Sequence, residues 1–295
     1  MRVVLTGASG QLGPYVLETL RAAGHETWAW VGRQKLGSFG ETDRAVDVTD
    51  PSAVDQALAE ADPAVVIHTA AVSTIDGVRR DVRAAWETNV SATARLAEWC
   101  DRRGRRLIYT STDLVFDGTP LTFRENSRPN PLMEYGRTKR AGELAVLGTA
   151  AGLVARMTLM YGPARGLRPT GFDRVVAGLR RGEVQTFFDD EFRTPLDLLT
   201  SAEILTRLVT SDLTGILHVA GAVRLSRFEL ACEFARALGL ELGSFRANRQ
   251  ADVAFDEPRP ADVSLDTTRL AALFPDLRRD SVFDAVRRMM PLGSF

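Results

Sequence analysis

Eight residues near the amino terminus, Thr6-Gly7-Ala8-Ser9-Gly10-Gln11-Leu12-Gly13, constrain this chain more than any other stretch. They follow an apolar strand-like run, Val3 to Thr6, and precede apolar residues at helical spacing: Leu12, Val16, Leu17 and Leu20. Glycines in that context allow a tight turn and let the backbone approach a pyrophosphate, whose charge suits the N–H groups and dipole at the start of the next helix. Gly7, Gly10, Gln11, Leu12 and Gly13 are therefore candidate cofactor-binding residues. A strand-to-helix turn that merely needs glycine is the plainer alternative.

The alternation continues along the chain. Strand-like runs at Thr27 to Val31, Val65 to Thr69, Leu107 to Thr110 and Leu153 to Met157 are separated by segments of helical periodicity. Asp50-Pro51 reads as a helix cap with proline at the first helical position. Such alternation implies a parallel sheet with right-handed crossovers. The expected fold class is α/β: a Rossmann-type doubly wound parallel sheet over residues 1–160, then a smaller, mainly substrate-binding lobe over residues 161–295, with some later segments returning to the first sheet. Gly162 to Gly171 and Asp256-Glu257-Pro258-Arg259-Pro260 read as loops.

Composition narrows the partners. A net charge of -1 over 295 residues gives no general reason to bind nucleic acid or an anionic membrane. No stretch is apolar enough over sufficient length to span a bilayer, and the first residues lack signal-peptide character. Cys100 and Cys232 match no disulfide framework or metal spacing, so no metal is expected and a cytoplasmic location is the simplest expectation. His25, His68 and His218 are isolated, and the last two sit in apolar runs, as core residues do.

The nicotinamide cofactor can be read from the second strand. Where an acidic residue would bond the ribose hydroxyls of NAD, the strand ends in Val31-Gly32-Arg33-Gln34-Lys35, with no acid between Thr27 and Gly40. Arg33 and Lys35 suit a 2′-phosphate, favouring NADP(H) with NAD(H) still open; a solvated basic turn is the alternative. Asp47 and Val48 are candidates for the adenine side, although Asp47 also reads as a turn residue.

A second motif is Tyr135-Gly136-Arg137-Thr138-Lys139. On a helix its four-residue spacing puts Tyr135 and Lys139 on one face. A phenol titrating near about 10 is a poor acid–base group at neutral pH, and a neighbouring ammonium would lower that value. Lysine occurs only at Lys35 and Lys139 among 37 basic residues, so its presence at 139 suggests a need for a compact charge rather than a guanidinium. Ser111-Thr112-Asp113, at the carboxyl end of a strand, would offer hydroxyls to a bound ketone oxygen.

Together these features resemble the extended short-chain dehydrogenases. The resemblance is carried by the glycine loop, Ile67-His68-Thr69-Ala70-Ala71, Asn89 in Glu87-Thr88-Asn89-Val90, Ser111 to Gly118 and the Tyr135/Lys139 pair. Ser111 to Gly118, and Arg259-Pro260 followed by Ser264-Leu265-Asp266, are most similar to the dTDP-4-dehydrorhamnose reductase branch. The resemblance implies a catalytic set of Thr112, Tyr135 and Lys139, cofactor contacts at Ala70 and Ala71, and Ser73, Thr112 and Asp113 near the sugar. Arg193 and Arg259 are candidates to grip a substrate diphosphate, with surface ion pairing the rival reading for each.

The implied activity is NADPH-dependent reduction of a nucleotide-linked 4-keto-sugar, with the nucleotide-sugar as partner and a second copy of the chain compatible as another. Dehydratases of this class place an Asp-Glu pair after the threonine, whereas this chain has Asp113-Leu114, which argues against eliminating water. His68 and Leu114 also replace the asparagine and tyrosine frequent in the reductase branch. The branch resembles the non-catalytic β-subunit of methionine adenosyltransferase too, so a cofactor-binding regulatory subunit is one alternative and an epimerase another.

Overall fold

The computed structural model describes residues 1–32, 42–119, 122–166 and 168–290. Strands β1 (Arg2–Thr6), β2 (Glu26–Val31), β3 (Arg44–Ala45), β4 (Val65–His68), β5 (Arg106–Thr112) and β6 (Gly152–Met157) alternate with helices α1 (Gly13–Ala22), α2 (Pro51–Ala61), α3 (Ile75–Arg80), α4 (Val82–Trp86), α5 (Ala92–Arg102) and α6 (Glu134–Leu147). The second half contributes β7 (Met160–Tyr161), α7 (Gly171–Arg180), β8 (Gln185–Phe188), β9 (Phe192–Arg193), β10 (Leu196–Asp197) and α8 (Leu198–Leu208). It continues with β11 (Gly215–Val219), β12 (Leu225–Ser226), α9 (Arg227–Leu238), β13 (Phe245–Asn248), α10 (Thr268–Leu273) and α11 (Val282–Met289).

The main sheet is parallel and runs β11-β6-β5-β4-β1-β2-β3. Strand order reverses beside β1, where Thr6 pairs in register with His68 of β4, and the crevice above such a switch point is the usual ligand site of an open α/β sheet. Both faces are covered, which explains the near-continuous apolar strands. Val3 and Leu5 pack with Val16, Leu20 and the α8 residues Ala202 and Leu205. Val4 packs the other way, with Val54 and Leu58 of α2 and Leu96 of α5.

Local chemistry sets several boundaries. Asp50 caps α2 by accepting from the Ser52 and Ala53 amides, with Pro51 behind it, as the sequence predicts. Between α4 and α5 the chain departs from the expected helix: Glu87–Ser91 form a π-helical turn around Asn89.

The later segments do not form a detached unit. β11 pairs with β6, and α8 packs in the same layer as α1. The remaining lobe rests on three short strand pairs (β7 with β10, β8 with β13, β9 with β12) and on a cluster that includes Phe172, Val176, Leu230, Phe234 and Val286. No helix among the described residues is long and apolar enough to cross a membrane, and no group of His, Cys, Asp or Glu among them could hold a metal ion.

Candidate active site

The glycine loop lies at the carboxyl end of β1. Gly7 has φ +70°, and a Cβ there would stand 2.6 Å from the amide nitrogen of Ala70; one on Gly13 would stand 2.4 Å from the carbonyl oxygen of Ala8. The loop can hold this path only with glycine at both positions. Gly10 and Gln11 are exposed at the start of α1, whose N-cap Leu12 supplies no side-chain acceptor. The first turn of α1 thus has no side-chain cap, an arrangement that fits a pyrophosphate lying over the exposed Gly10 and Gln11.

A fixed chain of hydrogen bonds runs below the loop. The Ala70 amide donates to Thr6 Oγ1 at 3.1 Å, and Thr6 Oγ1 lies 2.7 Å from His68 Nδ1. On the other side of the ring, Nε2 lies 3.0 Å from Thr93 Oγ1, whose proton goes to the Asn89 carbonyl at 2.8 Å. Thr93 must therefore accept from Nε2–H, which leaves Nδ1 to accept from Thr6. Burial pushes His68 down to about 3, with the Lys139 charge adding to the effect, so the ring is neutral at physiological pH. His68 is the core residue the sequence suggests. Asn89 is more than a helix polar residue, since its side chain accepts from the Val72 amide at 2.9 Å and donates to the Val72 carbonyl at 3.1 Å and to Thr138 Oγ1 at 3.0 Å. It clamps the turn that carries Ala70, Ala71 and the exposed Ser73.

Thr112 ends β5, and Tyr135 and Lys139 lie one turn apart on α6. Gly136 lets this helix press against the preceding loop, because a Cβ there would stand 2.2 Å from the Leu114 carbonyl oxygen. Lys139 is 2% exposed; its Nζ sits 4.2 Å from the centre of the Tyr109 ring and makes no hydrogen bond among the described residues. Burial pushes it down to about 7, opposed by the Glu143 carboxylate.

Tyr135 differs from the expectation. Burial and the neighbouring Asp113 carboxylate push its phenol up to about 12, while the Thr112 hydroxyl beside it pulls the other way. The lowering expected from Lys139 is not what dominates: desolvation of the phenolate and the Asp113 charge do. The phenol keeps its proton, the form that can donate to a ketone oxygen.

Asp113 is 3% exposed, with Thr112 and Thr158 donating to it at 3.1 and 3.3 Å and Arg193 forming an ion pair with it at 3.6 Å. Arg193 is equally committed: it is 6% exposed, pairs with Glu191 at 3.3 Å and donates to the Phe192 carbonyl at 2.7 Å. Arg259 lies over the Phe255 ring at 4.3 Å. Arg227, which the sequence reading missed, is close enough to Glu191, Arg193, Asp113 and Arg259 for each to act on its charge. Arg259 lines a cavity of about 170 Å³ with Ile75, Arg79, Met133, Phe255 and Glu257. Glu257 Oε1 accepts from the Glu134 amide at 2.8 Å, at the start of the helix that bears Tyr135, and Oε2 is buried without a partner among the described residues.

Asp47 is bonded within its own turn, accepting from the Thr49 amide and hydroxyl at 3.0 and 2.6 Å; Val48 beside it is half-buried. Arg33 and Lys35 lie outside the described residues. Glu143 and Arg156 were also missed. The signal for Glu143 was present, since four residues after Lys139 is the same helix face; nothing in the sequence pairs Arg156 with it.

This sheet, glycine loop and Thr/Tyr/Lys constellation define an oxidoreductase of the extended short-chain dehydrogenase/reductase class. The chain matches the RmlD substrate binding domain family over residues 1–290 and belongs to that family. It is 32% identical over 283 residues to methionine adenosyltransferase 2 subunit beta of Bos taurus, covering 92% of this chain and 82% of that one. It is also 32% identical over 277 residues to a probable low-salt glycan biosynthesis reductase of Haloferax volcanii, covering 92% and 91%. Among solved structures, dTDP-4-dehydrorhamnose reductase from Bacillus anthracis in complex with NADP superposes with a TM-score of 0.85 at 23% identity, with 98% of each chain covered. That last likeness is one of fold.

Proposed function

We propose that this protein is an NADPH-dependent reductase of a nucleotide-linked 4-keto-sugar. The observation that carries the reading is a protonated Tyr135 beside the Thr112 hydroxyl, with the buried ammonium of Lys139 one turn away, at the carboxyl ends of the strands beside the switch point. A bound reduced nicotinamide would supply the reducing equivalent. Tyr135 then gives its proton to the carbonyl oxygen, the Thr112 hydroxyl turns its one proton from Asp113 to that oxygen, and Lys139 bonds ribose hydroxyls while its charge stabilises the phenolate left behind.

The remaining assignments follow the same reading. Backbone amides of Gln11, Leu12 and Gly13 meet the pyrophosphate, with Gly10, whose amide donates to the Gly7 carbonyl at 2.9 Å, letting it approach the turn closely, and Gly7 keeping the loop close to β4. Asp47 and Val48 border the adenine, Ala70 and Ala71 the nicotinamide side, and Arg33 and Lys35 the 2′-phosphate that makes NADPH the preferred cofactor. Ser73 and the cavity lined by Arg259 face the sugar nucleotide. Arg259 and Arg227 are better suited than Arg193 to meet its diphosphate, because Arg193 already holds Asp113 and Glu191. Asp113 serves by holding the Thr112 hydroxyl in place before substrate takes its proton, rather than by touching substrate. A soluble enzyme of the cytoplasm, forming a homodimer, is the setting this reading implies.

The test is oxidation of NADPH and NADH against a panel of nucleotide 4-keto-sugars, with products weighed by mass spectrometry. A gain of two hydrogens with NADPH preferred is expected; loss of water, or inertness across the panel, overturns the reading. The identity to a methionine adenosyltransferase β-subunit over 92% of the chain favours a second one, a cofactor-binding regulatory subunit. Light scattering with a methionine adenosyltransferase catalytic subunit separates the two, since a stable complex formed by a chain without turnover selects the second.

A further inference from the structure

Directly below Lys139, α6 buries a carboxylate that no catalytic step uses. Glu143 is 0% exposed. Its Oε1 accepts from Ser111 Oγ at 2.6 Å and Arg156 Nε at 2.8 Å, and its Oε2 accepts from Arg156 Nη2 at 2.9 Å and Arg140 Nη1 at 2.8 Å. Arg156 is itself fully buried on β6, over the Phe116 ring at 5.0 Å. A buried Arg–Glu pair is a poor device for stability alone, because desolvating both ions costs about as much as their attraction returns and an apolar pair of similar volume does as well.

Two consequences of its placement give it a use. Ser111 immediately precedes Thr112, so the carboxylate ties the end of β5 that presents Thr112 to the helix that presents Tyr135 and Lys139. It also puts a permanent negative charge one turn from the ammonium. The titratable and charged groups around Lys139 and its carboxylate are Tyr135, Arg140 and Glu143 on their own helix, Tyr109 from β5, neutral His68 from β4, and Arg156 from β6, which pairs with Glu143. Among the described residues Glu143 is the anion that acts on the ammonium.

We propose that Glu143 is a positioning residue of the reaction, through which Ser111 and Arg156 lock the strand end bearing Thr112 to α6 and which supplies the negative charge that keeps Lys139 an ammonium. The role in turnover rests on the reductase reading; the charge relation with Lys139 does not.

The sequence makes the test direct. Lys35 and Lys139 are the only lysines, so side-chain isotope labelling of lysine gives two NMR signals, and Lys139→Arg assigns them. In Glu143→Gln the Lys139 midpoint falls by about one pH unit, a tenfold loss of proton affinity, and the basic limb of kcat moves down with it. If Glu143→Gln does not fold because Arg156 is left unpaired, Glu143→Gln with Arg156→Met removes both charges together, and the Lys139 midpoint still falls, by less than in the single variant because a neighbouring cation has gone too. Ser111→Ala lowers kcat several-fold with the substrate KM and the Lys139 midpoint unchanged. A Lys139 titration that stays put in a folded Glu143 variant overturns the proposal. A chain that proves catalytically idle still yields the titration, so that result tells against the reductase reading alone.

Discussion

Two ionisable side chains one turn apart on the buried face of α6 are treated in opposite ways. The Glu143 carboxylate receives four donor bonds from Ser111, Arg140 and Arg156. The Lys139 ammonium makes no hydrogen bond among the described residues and lies over the face of Tyr109. Desolvation acts on both, yet Glu143 is held below the usual carboxylate range by its partners while Lys139 is pushed down to about 7. A buried charge left short of partners is costly, so a fold that keeps one holds it for a ligand. The satisfied end of the helix fixes the frame, and the under-partnered end is the candidate site.

The largest expected effect tests the unsatisfied end. Tyr135→Phe removes the proton donor without changing shape, and kcat should fall by about 10²–10⁴-fold while dinucleotide affinity, measured by fluorescence titration, changes by less than about threefold. A comparable loss in affinity would mean that Tyr135 serves binding rather than proton transfer.

At the satisfied end, Arg156→Met alone should cost about 3–5 kcal/mol in urea unfolding, because it strands Glu143 in the core. A cost near zero would show that water or a rearranged Arg140 reaches the carboxylate, and the contrast between the two ends would weaken.

Lys139→Met should do the reverse. It removes an under-partnered buried charge, so the ligand-free protein gains about 1 kcal/mol, read as about 2–4 °C in Tm, while turnover is lost. The pH dependence fixes the sign. With the native lysine lowered to about 7 from 10.5, the folded state binds fewer protons than the unfolded state between those values. Stability of the ligand-free protein therefore rises with pH across that window, and the Lys139 contribution to the slope disappears in the variant. Identical slopes in the two proteins would contradict the account of Lys139.

The same contrast explains how much was legible beforehand. Strands, the glycine loop and the Tyr135/Lys139 pair could be read because they depend on local periodicity and spacing. The π-helical turn at Asn89 could not, because it exists to meet the backbone of Val72, 17 residues away. Arg193 and Asp113 read as substrate-side residues, and their mutual pairing, between residues 80 positions apart, was invisible in the sequence. Glu143 lay at readable spacing from Lys139, but its importance comes from Ser111 and Arg156, which folding brings to it.

The smallest effect concerns how the lobe reaches this helix. Met133 at the N-cap of α6 offers no side-chain acceptor, and the free Glu134 amide is instead met by Glu257 Oε1 from the distant segment before Arg259. A carboxylate there also opposes the positive end of the helix dipole. The helix bearing Tyr135 is thus capped from the far side of the cavity that Glu257 and Arg259 line. Glu257→Ala should cost about 1 kcal/mol locally, seen as roughly fivefold faster hydrogen exchange at Glu134 and a few-fold drop in kcat; Glu257→Gln, which keeps an acceptor, should recover most of both. Unchanged exchange at Glu134 in the alanine variant would show that α6 holds its first turn unaided, and that the lobe touches the catalytic helix without steering it.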